Sequence, residues 1–175
     1  KVTAIGGKAI TYDAIGNPLT YDGWTFTWKA GRMLASMVKT GTNAQFTYDH
    51  NGLRIKKVVN GVTTNYTLNG KNVVHMTQGS NDLHFFYDAQ GKPGMVTYND
   101  VDYFYVYNLQ GDVVALIDAN GTQVVEYGYD AWGNPISKSG SMVATLGTEN
   151  LFRYREYVYD EETKLYYNKE CGIDE

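Results

Sequence analysis

Metal or nucleophile chemistry in this chain of 175 residues would depend on three histidines and a single cysteine. His50 lies within a turn sequence, whereas His75 and His84 flank a predicted hairpin and could meet across it as a polar pair. Two imidazoles do not supply the ligands of a zinc site, and the histidine spacing matches no zinc motif. Cys171 has no histidine at a recognisable spacing. We therefore predict no catalytic residue, no metal ligand and no cofactor.

Carboxylates in turn sequences offer a second kind of chemistry. "DHNG" at Asp49 and "DANG" at Asp118 share the pattern D-x-N-G with calcium-binding loops. The further carboxylates of such a loop, which ends in a bidentate glutamate, are missing. We interpret these aspartates as turn caps that accept backbone N–H groups two residues further on. The acidic run at residues 160–162 is likewise interpreted as a structural turn.

The same turn pattern recurs along the chain with a ragged period of about 20 residues. A tyrosine that ends a strand can lay its ring across the neighbouring strand, while its hydroxyl stays near water or a backbone carbonyl. Glycine takes the left-handed backbone position that a Cβ would make costly. The predicted structural turn residues are Tyr12, Asp13, Gly16, Asn17, Tyr48, Asp49, Gly52, Tyr87, Asp88, Gly91, Tyr107, Gly111, Tyr129, Asp130, Gly133, Asn134, Tyr159 and Asp160.

A unit of about 20 residues fits two short strands and two turns. Residues 32–39 could form a short amphipathic helix, but they fall where the repeat requires a strand, and we predict a strand. Residues 101–107 are apolar at successive positions, which predicts a strand that is covered on both faces or lines a closed interior. Residues 137–149 are rich in serine, glycine and threonine and are predicted to form a loop or insertion. Arg153 and Arg155 alternate with aromatic residues, which predicts a strand with a charged outer face.

Composition favours an all-β protein, since the chain has 16 tyrosines, 19 glycines and only 3 prolines. The net charge is -4 and no basic stripe exists, so nucleic-acid binding has little support. No apolar run approaches the roughly 20 residues of a membrane span. Residues 1–10 are too short and too polar for a secretory signal.

Four segments carry the repeat pattern most clearly. They are "TYDAIGNPLTYDG" (residues 11–23), "FTYDHNGLRIKKV" (46–58), "YNLQGDVVALIDANGTQVVEYGYDAWGNPIS" (107–137) and "FRYREYVYDEETKLYYN" (152–168). Together they resemble the Rhs/YD-repeat family: the third closely follows the core segment of that family, and the fourth is similar to the signature near the end of its core.

The resemblance implies an antiparallel YD-repeat meander that forms part of a spiralling β-shell, or cocoon. Residues 1–175 would be one segment of that shell, with residues 152–168 as its C-terminal signature. In bacterial members the shell encloses a variable C-terminal toxin domain used in competition between cells. Those proteins are secreted or displayed at the cell surface. Related shells occur in insecticidal toxin complexes and in teneurins.

Two departures from the family pattern fall in the last segment, where Glu156 and Lys164 replace glycines. After Tyr166 and Tyr167 the family continues to a closing motif, behind which several members cleave themselves. Here "NKECGIDE" follows, so self-cleavage is not implied. We expect the chain to be a fragment of a larger shell or a shortened member.

Two functions remain open at this point. The first is a non-catalytic shell segment whose partners are the rest of the shell, or copies of this chain, and an enclosed toxin domain. The second is an adhesive module that binds carbohydrate or a neighbouring cell's surface. Tyrosines packed along a ladder would favour the first, and exposed tyrosines the second. In either case open strand edges are expected to pair with more shell or with further copies of the chain.

Overall fold

The computed structural model describes residues 1–167, and Cys171 therefore lies outside the described residues, as does the last residue of the predicted signature. Fifteen strands hydrogen-bond in the order in which they occur in the sequence, and paired strands run antiparallel. The predicted all-β antiparallel meander is confirmed. The chain divides into two compact units, of which the first is residues 1–66 and the second begins at Thr67.

The first unit contains seven complete strands and the beginning of an eighth. The strand β5 confirms that residues 32–39 form a strand and not a helix. The strands are β1 (Ala4–Ile5), β2 (Lys8–Tyr12), β3 (Pro18–Tyr21), β4 (Trp24–Lys29), β5 (Met33–Lys39), β6 (Thr42–Tyr48), β7 (Arg54–Val59) and β8 (Val62–Asn69), which runs past the unit boundary.

The second unit continues the meander and adds a covering segment at its C-terminal side. Its strands are β9 (Asn72–Gln78), β10 (Asn81–Tyr87), β11 (Pro93–Tyr98), β12 (Val101–Tyr107), β13 (Val113–Ile117), β14 (Gln123–Tyr129), β15 (Pro135–Ser139) and a separate hairpin of β16 (Val158–Asp160) and β17 (Leu165–Tyr167). A single helical turn, α1 (Leu146–Glu149), and a 3-10 turn, Tyr154–Glu156, lie between β15 and β16. No described helix is long and apolar enough to cross a membrane.

Alternation along most of the longer strands separates a buried face from a more exposed face. On β12, Tyr103 and Tyr105 are buried, whereas Phe104 between them is 39% exposed. The prediction that residues 101–107 are covered on both faces is therefore wrong. A strand places successive side chains on opposite faces, so an apolar residue can occupy an outer position without being covered.

The segment predicted as a loop, residues 137–149, contains three different structures. Residues 137–139 belong to β15, because Ser137 and Ser139 stay in register with β14 opposite Gly128 and Glu126. Turns follow, and α1 then buries Leu146 completely. The serine and glycine content reflects this tight approach, since a Cβ on Gly147 would lie 3.1 Å from Cγ1 of Val125.

Candidate functional site

One hydrogen-bond pattern recurs at six turns of the meander. In the turn that follows β13, Oδ1 of Asp118 accepts hydrogen bonds from the backbone N–H groups of Asn120 (2.9 Å) and Thr122 (2.8 Å). The backbone N–H of Asp118 donates to the carbonyl of Thr122, and that of Gly121 donates to the carbonyl of Asp118. The same arrangement is built on Asp13, Asp49, Asp88, Asn108 and Asp130.

The fourth residue of each repeat turn is a glycine with positive φ. Gly121 has φ +80°, and Gly133 has φ +89°, as the sequence predicted for Gly133. An L-residue at such a φ costs roughly 1–2 kcal/mol, which explains the glycine. The remaining members of the set are Gly16, Gly52, Gly91 and Gly111.

At several turns the aromatic residue that ends a strand bonds a backbone carbonyl of the preceding segment, whereas Ile117 precedes the cap Asp118. The Tyr87 hydroxyl donates to the Val73 carbonyl at 2.6 Å, and the Tyr129 hydroxyl donates to the Val113 carbonyl at 2.7 Å. Trp28 makes the equivalent bond from Nε1 to the Pro18 carbonyl at 2.6 Å. The strand register shifts immediately before each of these aromatics, so a β-bulge turns the ring toward its acceptor. The hydroxyls of Tyr12 and Tyr107 donate to the carbonyls of Val2 and Pro93.

The last predicted pair, Tyr159 and Asp160, does not form a repeat turn. Both residues are buried in β16. The turn that follows Asp160 is closed by a hydrogen bond from the Lys164 N–H to the Asp160 carbonyl at 2.8 Å. Lys164 has φ +61°, which accounts for the glycine that the family commonly carries there.

A buried arginine organises the covering segment of the second unit, which we define as residues 146–167. Arg153 is 1% exposed, so the predicted strand with a charged outer face is wrong. The Arg153 side chain donates from Nη2 to the Gly147 carbonyl at 2.7 Å and from Nη1 to the Asn150 carbonyl. Its guanidinium lies 4.1 Å from the centre of the Tyr127 ring. Nη1 also donates to the Phe152 carbonyl at 3.3 Å, so the guanidinium exchanges water for three carbonyls and an aromatic face.

Aromatic packing joins the covering segment to the buried face of strands β10 to β14. The Phe152 ring meets the rings of Phe85, Tyr87 and Tyr105 edge to face at 5.3 to 6.1 Å. The Tyr105 hydroxyl donates to Oδ1 of Asn150 at 2.6 Å. These contacts span more than forty residues of sequence, so no local pattern could have predicted them.

In the acidic turn at residues 160–162, the Glu161 carboxylate balances the positive charge of nearby cationic side chains, including Arg153. Burial raises the pKa of the Glu161 carboxyl, but hydrogen bonds from Lys164 and Lys138 outweigh it, and the net pKa is lowered. Glu161 also lies 3.8 Å from Nη2 of Arg153. The turn is therefore structural, since its central carboxylate is held by three cations.

The two histidines that could meet across a hairpin do meet, and a third group joins them. His75 lies directly opposite His84 in the β9–β10 register, and their rings stack at 4.3 Å. Asp82, which sequence reasoning did not single out, contacts Nε2 of both rings at 3.0 Å. Within residues 1–167 this is the one group of three or more histidine, cysteine or acidic residues with donor atoms close enough to share a metal ion.

Comparison with known proteins places these features in a family. The family described as Teneurin YD-shell matches residues 1–171. The tRNA nuclease WapA of Bacillus subtilis strain 168 is 38% identical over 95% of this chain, which corresponds to 7% of that protein. The tRNA(Glu)-specific nuclease WapA of Bacillus subtilis subsp. natto is 39% identical over the same shares. The chain therefore spans less than a tenth of the length of these relatives.

Two solved structures share the fold. The Photorhabdus luminescens Tc holotoxin pore superposes with a TM-score of 0.67 at 16% identity, over 90% of this chain and 9% of that chain. The complex TcdB2-TccC3 superposes with a TM-score of 0.65 at 16% identity, over 92% of this chain and 9% of that chain. At this identity the likeness concerns the fold alone.

Alanine at Gly133 is predicted to destabilise the protein more than alanine at Gly121. Both positions have positive φ, so each substitution costs roughly 1–2 kcal/mol of unfolding free energy. A Cβ at Gly133 would also overlap the ring of Tyr154, which adds about 1–3 kcal/mol, whereas the space around Gly121 is open. Urea unfolding of the two variants measures the difference. Equal losses would show that the Tyr154 ring does not restrict this turn.

The caps are predicted to make the protein less stable in acid. The pKa of the Asp118 carboxyl is lowered mainly by the hydrogen bond from the Thr122 N–H, so its stabilisation is present near neutral pH. It is lost as the pH falls below the ordinary aspartate value of about 3.9. Asp118→Asn should keep the turn, as Asn108 does naturally, and should lose less stability than the parent between about pH 6 and pH 3. Asp118→Ala should melt lower at every pH. A parent and an Asn variant with parallel melting temperatures across this range would contradict the linkage.

Removal of the buried guanidinium is predicted to cost much more than removal of its exposed neighbour. Arg153→Met leaves the carbonyls of Gly147 and Asn150 without these donors, and we expect a loss of about 2–4 kcal/mol. Arg155→Met removes an exposed group and should cost about 1 kcal/mol or less. Chemical denaturation checks both values. Similar losses for the two variants would mean that the Arg153 contacts contribute nothing net.

Proposed function

Because this chain belongs to the teneurin YD-shell family, as its turn sequences indicated, we propose that it forms part of the wall of a shell that encloses or carries a toxin domain. The wall is non-catalytic, and the toxin acts in competition between bacteria. The likeness of its fold to parts of Tc toxin structures supports a role as shell wall.

The placement of the tyrosines carries the proposal. All 16 tyrosines lie within the described residues, and Tyr157 alone among them is exposed. The others are buried or half-buried, and the repeat tyrosines use their hydroxyls to tie strand to strand. An adhesive module that stacks aromatic rings on sugars would instead present them to solvent. The tyrosines therefore favour the shell over the carbohydrate-binding module.

The relatives named as tRNA nucleases correspond to this chain over only 7% of their length. We place any such nuclease activity outside the matching region, because the net charge of -4 and the absence of a basic stripe do not suit a phosphate backbone. The chain itself is expected to remain without catalytic activity. Export or surface display of the whole protein follows from a role between cells.

The two edge strands of the long sheet suggest where further shell could pair. Within the described residues, β1 and β15 each have a single strand neighbour. On β15, Ile136 is 69% exposed, whereas the Lys138 side chain bonds Thr148 and Glu161 of the covering segment and so does not protect the edge. We infer that more shell, or a second copy of the chain, pairs with these edges.

Proteolysis of the complete gene product that carries this chain tests enclosure. Wild-type protein should protect its toxin region from proteinase K, whereas Gly133→Val, which weakens the wall, should make that region as sensitive as free toxin. Phe86→Ala, at an outer-face position that is 47% exposed, serves as the matched control and should leave protection unchanged. A toxin region digested at the same rate in wild type and Gly133→Val would refute enclosure by this wall.

A glycan array probed with the same proteins separates the adhesive alternative. Trp132 is 86% exposed at the tip of its turn and is the aromatic most accessible to a sugar. Shell function predicts no specific glycan signal. A signal that Trp132→Ala abolishes, together with unprotected toxin, would favour adhesion instead.

A further inference from the structure

A cluster of three donors lies on the outward face of the β9–β10 hairpin, away from the buried aromatic face. His75 and His84 are cross-strand partners, and Asp82 lies two residues before His84 on the same face. Nε2 of His75 lies 3.0 Å from Oδ2 of Asp82, and Nε2 of His84 lies 3.0 Å from Oδ1. All the donor atoms lie within 4.8 Å of one another. We propose that these three side chains bind one divalent transition-metal ion of the zinc class.

The donor set has the chemistry that such an ion prefers. Two imidazole nitrogens and one carboxylate oxygen are common ligands of zinc and of neighbouring first-row metals. Metal–nitrogen distances of about 2.0–2.1 Å in a tetrahedral site place neighbouring donors about 3.3 Å apart. The two imidazole–carboxylate separations are 3.0 Å each, which is close to that value, and one donor atom from each residue lies within 4.8 Å of the other two. The nearly parallel rings must turn about their side-chain bonds to direct both Nε2 lone pairs at one ion.

The hairpin holds the cluster in place before any ion binds. Beneath it, Leu83 and Met76 pair across the same strands and are 0% and 1% exposed. The backbone N–H of Asp82 donates to Oδ1 of Asn99 at 2.8 Å, and the N–H of Asn99 donates to the Asp82 carbonyl at 2.9 Å. Both strands are therefore fixed at the ligand positions, which reduces the ordering cost of binding.

The charges of the cluster also suit a cation. The Asp82 carboxylate lies 3.0 Å from both imidazoles and supplies the anionic ligand. Each imidazole would bind the ion through Nε2 in its neutral form, which carries the ring proton on Nδ1. The two stacked rings presently share a single carboxylate, whereas an ion would engage all three groups at once. The His84 side chain is 50% exposed, so a fourth position stays open to water or to a donor from another molecule.

Titration of the chain with Zn²⁺ against a chromophoric chelator tests the site. The protein is first stripped with EDTA, and a Cys171→Ser background removes thiolate binding. We expect saturation at one ion per chain. His75→Gln, His84→Gln and Asp82→Asn should each weaken binding by about tenfold or more, because ligand loss costs at least as much as loss of an outer-shell partner. His50→Gln, which removes the histidine outside the cluster, is the matched control and should bind as tightly as the parent.

Two further readouts complement the titration, and the first of them needs no variant. In the intact protein, Zn²⁺ should shift the imidazole ¹⁵N resonances of His75 and His84 and leave those of His50 in place. Zn²⁺ should also raise the melting temperature of the parent and of His50→Gln, but not that of Asp82→Asn. The proposal is overturned by the absence of saturable binding, by binding that the three cluster variants leave unchanged, or by resonance shifts that include His50 equally.

Discussion

The rest of the meander depends on the hydrogen bonds that an Asp or Asn side-chain oxygen accepts at the start of each repeat turn. A turn of this length leaves backbone N–H groups without strand partners, and unpaired donors are costly wherever water is displaced. One oxygen accepts from the residues two and four positions on, as at Asp118 and Asn108. Because a single side chain satisfies the turn, the next strand can start immediately. The connections between these turns are tight two-residue turns such as Asn60 and Gly61, both at positive φ.

The tyrosine that precedes the cap converts a local turn into a long-range constraint. Its hydroxyl reaches the carbonyl of the preceding strand, as Tyr129 does with Val113, so three consecutive strands are tied at one point. The β-bulge before the tyrosine makes this hydrogen bond possible, because a regular strand would not turn the ring toward the acceptor carbonyl. Burial raises the pKa of the Tyr129 phenol, which keeps the hydroxyl protonated and able to donate. Phenylalanine could not take the place of these tyrosines, because it lacks the hydroxyl that bonds the carbonyl.

These two devices explain which parts of the structure the sequence could predict. The caps, the left-handed glycines and the strands between them are local, so residues such as Asp118 and Gly133 can be recognised from their neighbours in sequence. Arg153 could not be placed, since its partners come from α1 and from β14, and alternation with aromatics is also typical of an exposed strand. Asp82 was missed because its position relative to His75 depends on the hairpin register. A register that differed by one residue would put the two side chains on opposite faces.

The separation of faces then determines where this wall can acquire further chemistry. Inner positions are constrained by the covering segment and by the aromatic rings around Phe152, so substitution there disturbs the fold. Outer positions need only form acceptable cross-strand pairs. In the first unit such pairs are hydroxyl to hydroxyl, as in Thr27 with Ser36 at 2.6 Å, whereas on β9 and β10 the corresponding pair is His75 with His84. The repeat thus tolerates ligand-bearing residues on its outer face without any change in the turns or the core, and a binding site can arise there on a wall whose stability is secured elsewhere.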